Sequence, residues 1–441
     1  MRHFLAAWLV ALLSLPALLT PVYAVDIVEI TTPGGIKAWL VTDRTAPVIS
    51  MSFSFSGGSA LDPIGREGLA AMAASLLGEG AGPLDAEAFK RETDAISASI
   101  GLQAGIDEIG GSLRTLRDRR ERAFELLALM LSQPRFDSPA VERIRIRTLT
   151  SIERAKEVPQ RIAGRLQAEI MFAGHPYARN RAGEIDTVKA ISADDMRAFV
   201  KGALSRDRLT VSVVGDIDEA ELVSLLDKAF AGLPATGAPV AVAEWQANVK
   251  GRVVVVNKPV PQSVVLIAQA GIKRNDPDWY VAYVLNYILG GGGFQSRLMN
   301  EVREKRGLVY SVQSGLNPYA HGGLIVTSAA SANERVAETV DIIRQEWKRM
   351  AQGGVTAEEL TNAKTYLTGS FALNLDSTSS IADLLQNVQI DKLGKDYLDK
   401  RNRYIEAVTL ADVGRVAARL LKPDDLVVIV VGQPKNLASS P

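Results

Sequence analysis

Residues 190–215, AISADDMRAFVKGALSRDRLTVSVVG, align without a gap on residues 407–432, AVTLADVGRVAARLLKPDDLVVIVVG. This internal repeat limits the possible folds more than any other feature of the chain. Identities fall at Ala190/Ala407, Asp195/Asp412, Leu204/Leu421, Asp207/Asp424, Leu209/Leu426, Val211/Val428, Val213/Val430, Val214/Val431 and Gly215/Gly432. Each copy reads as a capping box (Ser192 with Asp195, Thr409 with Asp412), an amphipathic helix, a turn at Asp and an apolar strand ending in Gly. The starts of the two halves correspond more loosely. Val48 to Ser56 and Ser263 to Ala270 both read as a strand followed by an acidic-Pro turn, an apolar helix and glycines. Similarity at half the chain length argues for duplication of one domain, because solenoid repeats run ~20–50 residues.

Helix-rich stretches fill each half at Ala86–Ser99, Leu116–Leu131, Ala140–Phe172, Val336–Ala351 and Thr356–Leu373, with caps at Asp85 and Thr356. Strands followed by helix pairs, without strict alternation, predict an α+β fold of two homologous domains. Each would be a largely antiparallel sheet with helices packed on one face. Gly232 to Lys250, GLPATGAPVAVAEWQANVK, begins rich in Pro, Gly and Ala and sits where a linker belongs. The expected boundaries are a first domain at 25–235, a linker at 236–250 and a second domain at 251–441.

Residues 1–24 are expected to stand outside the fold. Arg2 supplies a positive start, Phe4 to Leu19 an apolar run, and Val22-Tyr23-Ala24 a small-residue cleavage site, so a signal peptide cut after Ala24 is predicted. The apolar run is shorter than the roughly 20 residues needed to span a bilayer, and no membrane span is expected after cleavage. Fifty basic and fifty acidic residues cancel, which leaves no global field to recruit nucleic acid or an anionic membrane. Cysteine is absent, which excludes disulfides, thiolate metal sites and thiol nucleophiles. Of three histidines, only His175 and His321 follow the signal segment, and they fall in different halves. A zinc site built on a pair of neighbouring histidines cannot be made from them.

The richest local pattern is GGGGFQSRLMNEVREKRGLVYSVQSG at 290–315. Ser296 to Lys305 reads as a helix with Leu298, Val302 and the stem of Lys305 along one face, ended by Arg306 and Gly307. Leu308 to Val312 then reads as a strand, and alternation puts Leu308, Tyr310 and Val312 on one face and Val309 and Ser311 on the other. Arg303 and Tyr310, at the two ends of this unit, can both grip a peptide carbonyl. A surface arginine and a half-buried tyrosine in an ordinary α/β unit would give the same spacing. The glycines before the helix lack the Lys-Ser/Thr of a phosphate loop. A flexible substrate-facing loop and plain helix termination both remain open for them.

Three pieces together, SRLMNEVREKRGLVYSV, FAGHPYARNRAGEIDTVKAIS at 172–192 and the SVVGDID strand that closes the first half, resemble the pitrilysin/insulinase family of inverted-zinc metallopeptidases. The likeness is to the processing-peptidase type, and it covers the whole chain after residue 24. Catalytic members carry H-x-x-E-H on a first-domain helix, where two histidines hold zinc and the glutamate activates water. On the matching helix, GREGLAAMAASLLGEGAG, those positions are Ala71, Ala74 and Ser75. The family's third ligand, a glutamate, falls at Ser151 or Ile152, close to Glu153 and Glu157. The resemblance therefore implies a degenerate zinc motif and no metal bound by this chain. It also implies a structural role for His175, in Gly-His-Pro-Tyr. His321, beside two glycines, reads as a solvent-exposed turn residue.

In the second domain the resemblance implies that Arg303 hydrogen-bonds a substrate carbonyl and that Tyr310 stabilises the scissile carbonyl as charge develops. Gly291, Gly292 and Gly293 would face the substrate. It further implies a periplasmic, zinc-less subunit whose partner is a homologous chain with an intact H-x-x-E-H, the zinc residing in that partner, and unfolded peptides as substrates. The competing implication is a peptide-binding or structural homologue without a catalytic partner.

Overall fold

A computed structural model describes residues 26–239 and 241–440, so the expected signal segment 1–24 lies outside the described residues. Two mixed sheets organise the chain. The first contains β1 (Val28–Thr31), β2 (Lys37–Thr42), β3 (Val48–Ser56), β4 (Ser99–Ala104), β5 (Glu108–Leu116) and β6 (Leu209–Gly215), in the spatial order β1-β2-β6-β3-β5-β4. The second contains β7 (Arg252–Asn257), β8 (Gln262–Ala270), β9 (Val309–Tyr319), β10 (Gly322–Ala332) and β11 (Val427–Gly432), in the order β9-β10-β8-β11-β7. Leaving β1 aside, one sheet maps strand for strand onto the other. In each, the strand closing the half (β6, β11) pairs parallel with the half's edge strand (β2, β7) and antiparallel with the strand after that (β3, β8).

The repeated sequence segment explains this symmetry at the local level. Helices Ala193–Ala203 and Leu410–Leu420 both start in reciprocal capping boxes, Ser192 with Asp195 and Thr409 with Asp412. Such caps satisfy backbone donors that a helix leaves open at its first turn, and each is worth ~1 kcal/mol. Both strands that follow are almost wholly buried.

The stretch Ala140–Phe172, expected as helix-rich throughout, is two helices. Ser138–Ala155 ends before Val158, which is extended, and Pro159–Met171 begins anew. The residue before a proline is disfavoured in the helical region, and Pro159 is well placed at a first turn. This break changes the architecture, because Pro159–Met171 leaves its own sheet and covers the far face of the second one. Ala163, Met171 and Phe172 pack there with Val264, Ala268, Val427, Ile429 and Val431. The second half returns the exchange with helix Thr378–Ile390, whose Ala382 and Leu385 pack with Val41 and Val214 on the far face of the first sheet.

Strand β3 shows the consequence. Ile49, Met51, Phe53 and Phe55 point into the first core, as their alternation with serines requires. Ser50, Ser52 and Ser54 on the opposite face are also buried, beneath helix Thr378–Ile390. Ser50 shares a hydrogen bond of 2.8 Å with Thr378, Ser52 donates to Asp383, and Gln386 Nε2 donates to Ser54 at 2.9 Å. Gln389 adds bonds to Ser212 Oγ at 2.6 Å and to the Val211 carbonyl at 2.9 Å. The two exchanged contacts therefore differ in chemistry, one being apolar and the other a serine-rich polar seam.

Candidate substrate-contact site

The second-half site is built on two helical segments with unusually wide turns. Helix Trp279–Asn286 runs into a turn over Tyr287–Gly291 in which the Gly292 N–H reaches back five residues to the Tyr287 carbonyl at 2.8 Å. The helical segment that carries Arg303, expected as Ser296–Lys305, has the same i to i−5 pattern over Met299–Glu304, and the Lys305 N–H reaches the Asn300 carbonyl at 2.9 Å. Wide turns of this type recur at functional sites. Leu298 and Val302 are fully buried as expected, whereas Lys305 is exposed: the widened turn carries it off that face to Glu301, at 2.6 Å. Burial pushes the Glu301 carboxyl up, but hydrogen bonds from Lys305 and Arg306 outweigh it and bring it down to about 2. Glu301 thus stays charged and braces the end of the helix that presents Arg303. The sequence reading missed this role; its signal is one carboxylate placed four and five residues before two cations.

Arg303 lies against two aromatic rings. Its guanidinium carbon is 4.6 Å from the Phe294 ring centroid and 5.1 Å from that of Tyr310, within cation–π range. The expected alternation along β9 fails here. Val309 faces Ser331 and Val312 faces Ala329, so β9 carries one more residue than its partner strand between these pairs. This β-bulge buries both Val309 and Val312 and turns out Tyr310 and Ser311 together. Tyr310 is 81% exposed and Phe294 64%, so two aromatic rings against one cation stand open to solvent. Phe294 also escaped the sequence reading.

The glycines form a packed turn. Gly290 is buried, a Cβ on Gly292 would lie 2.8 Å from the Tyr287 carbonyl, and Gly293 has φ +55°. Close approach at Gly292 and left-handed backbone at Gly293 account for two of the glycines, and the run ends one helix and starts the next turn. Gly291 and Gly293 are exposed at the base of Phe294.

In the first half, helix Leu69–Leu76 carries Ala71, Ala74 and Ser75, the positions where the resemblance places a degenerate motif. Its first turn is capped from upstream: the buried Asp62 carboxylate accepts the Gly68 N–H at 2.8 Å and the Ala70 N–H at 2.9 Å. Ala71 is half-buried, Ala74 buried and Ser75 exposed; Ser151 is exposed on helix Ser138–Ala155 and Ile152 buried there. Methyl groups and hydroxyls at these positions do not fit zinc, which takes imidazole, thiolate or carboxylate ligands. Among the described residues no group of three His, Cys, Asp or Glu side chains is arranged to hold a metal. The cleft beside Ser151, of about 880 Å³, is lined by Arg154, Arg161, Arg165, Arg179 and Arg181. Such a field disfavours a bound cation.

The histidines lie at the junction of the halves. His175 Nδ1 accepts the Tyr177 N–H at 3.2 Å and its Nε2 sits 2.9 Å from the Ala243 carbonyl, bonds that hold a turn together. His321, expected as solvent-exposed, is half-buried: Nδ1 lies 3.3 Å from Glu244, and its N–H donates to the Tyr177 hydroxyl at 3.0 Å. The adjoining loop is stapled rather than loose. Trp245 donates to the Met171 carbonyl at 3.1 Å, and its ring meets Phe172 edge-on at 4.9 Å.

Fold and site together define a duplicated, two-sheet peptidase-like chain with no metal-ligating side chain at Ala71, Ala74 or Ser75. Comparison with known proteins agrees. A family profile described as "Peptidase M16 inactive domain" matches residues 190–367. An uncharacterized zinc protease of Streptomyces coelicolor is 28% identical over 74% of each chain. The non-peptidase homolog YmxG of Helicobacter pylori is 25% identical over 88% of this chain and 90% of its own. A crystal structure titled as a peptidase M16 inactive domain from Pseudomonas fluorescens superposes with a TM-score of 0.88 and 28% identity, covering 94% of this chain and 99% of that one. These likenesses support the reading of the chain as an inactive pitrilysin-like subunit.

Proposed function

We propose that this chain is the zinc-less subunit of a periplasmic two-chain metalloendopeptidase, divided into halves at 236–250, and that its second half contributes Arg303 and Tyr310 to the active site of a homologous, zinc-bearing partner. The observation that carries this reading is the exposed Phe294–Arg303–Tyr310 stack, in a chain whose own first-half motif lacks metal ligands. Arg303 would hold a backbone carbonyl of an unfolded peptide, since guanidinium is a fixed charged donor. Tyr310 would donate its phenol proton in a hydrogen bond to the scissile carbonyl oxygen as that oxygen gains charge. Gly291, Gly292 and Gly293 would let the peptide backbone pass close to the stack. Exposed aromatics around a cation are also what a subunit interface favours.

The test is hydrolysis of a quenched-fluorescent unstructured peptide by this chain, by an H-x-x-E-H homologue from the same cell, and by their mixture. Activity confined to the mixture is expected. If mixing adds nothing, the shared site is wrong and a peptide-binding or structural role replaces it.

A further inference from the structure

The chain as a whole carries no net charge, yet one cleft gathers positive charge. The cavity of about 880 Å³ beside Ser151 is lined by Arg154, Lys156, Arg161, Arg165, Arg179 and Arg181, against a single carboxylate, Glu184, among its described residues. Some of these cations are already engaged. Arg165 pairs with Glu169 at 2.9 Å and with Glu184 at 3.4 Å, and Lys156 with Glu153 at 3.0 Å. Arg179 donates to the carbonyls of Asp62 at 2.5 Å and Ala60 at 2.6 Å, which hold the guanidinium but carry no charge. Arg154, Arg161 and Arg181 are exposed at the same cleft and make no side-chain hydrogen bond or ion pair among the described residues. A cleft lined by one sign of charge focuses its field inward and draws in the opposite sign.

The rest of the wall is apolar and drawn from both halves. Ile106, Ile162 and Leu166 meet Val256, Tyr319 and Leu324 there, and all six belong to the apolar cluster between helix Pro159–Met171 and the second sheet. The cleft is therefore an unfilled extension of that cluster. Gly164 lines it from the middle of the same helix. A glycine inside a helix costs ~1 kcal/mol against alanine. The backbone does not demand one here, since a Cβ at Gly164 would meet no atom within 4 Å and its φ is not positive. Its effect is to leave room. Gln167, on the next turn, also lines the cleft, and its Nε2 is buried without a partner. An orphaned donor of this kind calls for an acceptor oxygen.

Unpaired guanidiniums and an apolar wall ask for a ligand that has both an anionic head and an apolar body. Helices Ser138–Ala155 and Pro159–Met171 and the 177–184 loop form most of the wall. Helices keep their backbone groups paired internally, so the cleft selects by charge and shape rather than by pairing with a peptide backbone. Its volume falls in the ~300–1,000 Å³ range of small-molecule sites. Guanidinium matches the two oxygens of a carboxylate in geometry as well as charge.

We propose that this cleft binds an amphipathic carboxylate of the fatty-acid type, its head on Arg154, Arg161 and Arg181 and its hydrocarbon body along Ile162, Leu166 and Tyr319. Phe294, Arg303 and Tyr310 do not line it, so the inference goes beyond the proposed shared site and does not rest on it.

cis-Parinaric acid, whose fluorescence rises in apolar surroundings, would be titrated against this chain alone, below its micelle concentration and at 0.15 M salt so that distant charges are screened. Its methyl ester, with the same body and no charge, is the comparison. We expect the acid to bind about tenfold more tightly than the ester, a difference of ~1.4 kcal/mol. The combined variant Arg154→Ala, Arg161→Ala, Arg181→Ala should erase this preference, and Arg303→Ala should leave it intact. Gly164→Leu fills the cleft from a helical position that tolerates a side chain, and it should weaken both probes about tenfold. Equal binding of acid and ester, or wild-type binding in a folded Gly164→Leu chain, would overturn the proposal. Displacement of the probe more readily by a glutamate-rich unstructured peptide than by oleate would also overturn it, by giving the cleft to peptides.

Discussion

The Arg303 guanidinium lies 5.1 Å from the centre of the Tyr310 ring and 4.6 Å from that of Phe294. The β-bulge after Val309 makes this contact, since regular alternation would have sent Tyr310 to the face of Val312. Loss of a charge-stabilising donor of this kind costs ~10²–10³ in rate. Arg303→Ala and Tyr310→Phe should each lower hydrolysis by the mixed subunits by about that factor. Thermal stability should change little, because Tyr310 is largely exposed. Phe294→Ala should have a smaller effect, since it frees the guanidinium without removing it. Rates like wild type in the first two variants would remove both residues from the chemistry.

The motif helix offers a metal test. Ala71 and Ser75 are one turn apart on the same helix face, and helix Leu69–Leu76 packs against helix Ser138–Ala155, which carries Ser151. The combined variant Ala71→His, Ser75→His, Ser151→Glu should take up close to one zinc per chain by atomic absorption after dialysis, and the unaltered chain none. Stoichiometric zinc in the unaltered chain would show that ligands lie elsewhere. An empty variant would show that Ser151 does not stand at the third position.

Asp62 links stability to pH. Burial raises its carboxyl from 3.8 to about 6, against the lowering effect of the Ala70 and Gly68 N–H groups and Arg179. Between those two values the folded chain keeps a proton that the unfolded chain has released. This contribution to stability is therefore fully present below 3.8 and is lost as pH rises through about 6. Its size is on the order of 3 kcal/mol. Asp62→Asn lacks this titration, so the stability gap between variant and wild type should shift in the variant's favour from pH 4 to pH 7.5. Urea denaturation at both pH values measures it, and a gap that does not move with pH would contradict the assignment.

Tyr177 joins the halves. Its hydroxyl donates to Asp107 at 2.6 Å and accepts the His321 N–H at 3.0 Å, in a buried aromatic cluster with Phe172 and Tyr319. Tyr177→Phe keeps the packing and strands both partners, which should cost about 1–3 kcal/mol. Hydrogen exchange should then speed up at the His321 amide. Unchanged stability and exchange would show that this bridge contributes nothing.

Some of this was legible in the residues themselves and some was not. The capping boxes at Ser192 and Thr409 involve neighbours three apart, so sequence shows both partners at once. That Ala71, Ala74 and Ser75 offer no imidazole or carboxylate is residue identity and holds in any fold. The bulge at Tyr310 was not readable, since one extra residue in β9 is defined only against β10.

Sequence alone determined the duplication and the α+β class, because each follows from residue identity and short-range periodicity. Tertiary structure decided that Pro159–Met171 and Thr378–Ile390 are exchanged between the halves. It likewise decided that Ser52 and Ser54 are buried rather than solvated, and that Phe294 lies on Arg303. A period of two tells which side chains share a sheet face; what covers that face depends on contacts between residues hundreds of positions apart, and no local pattern encodes them.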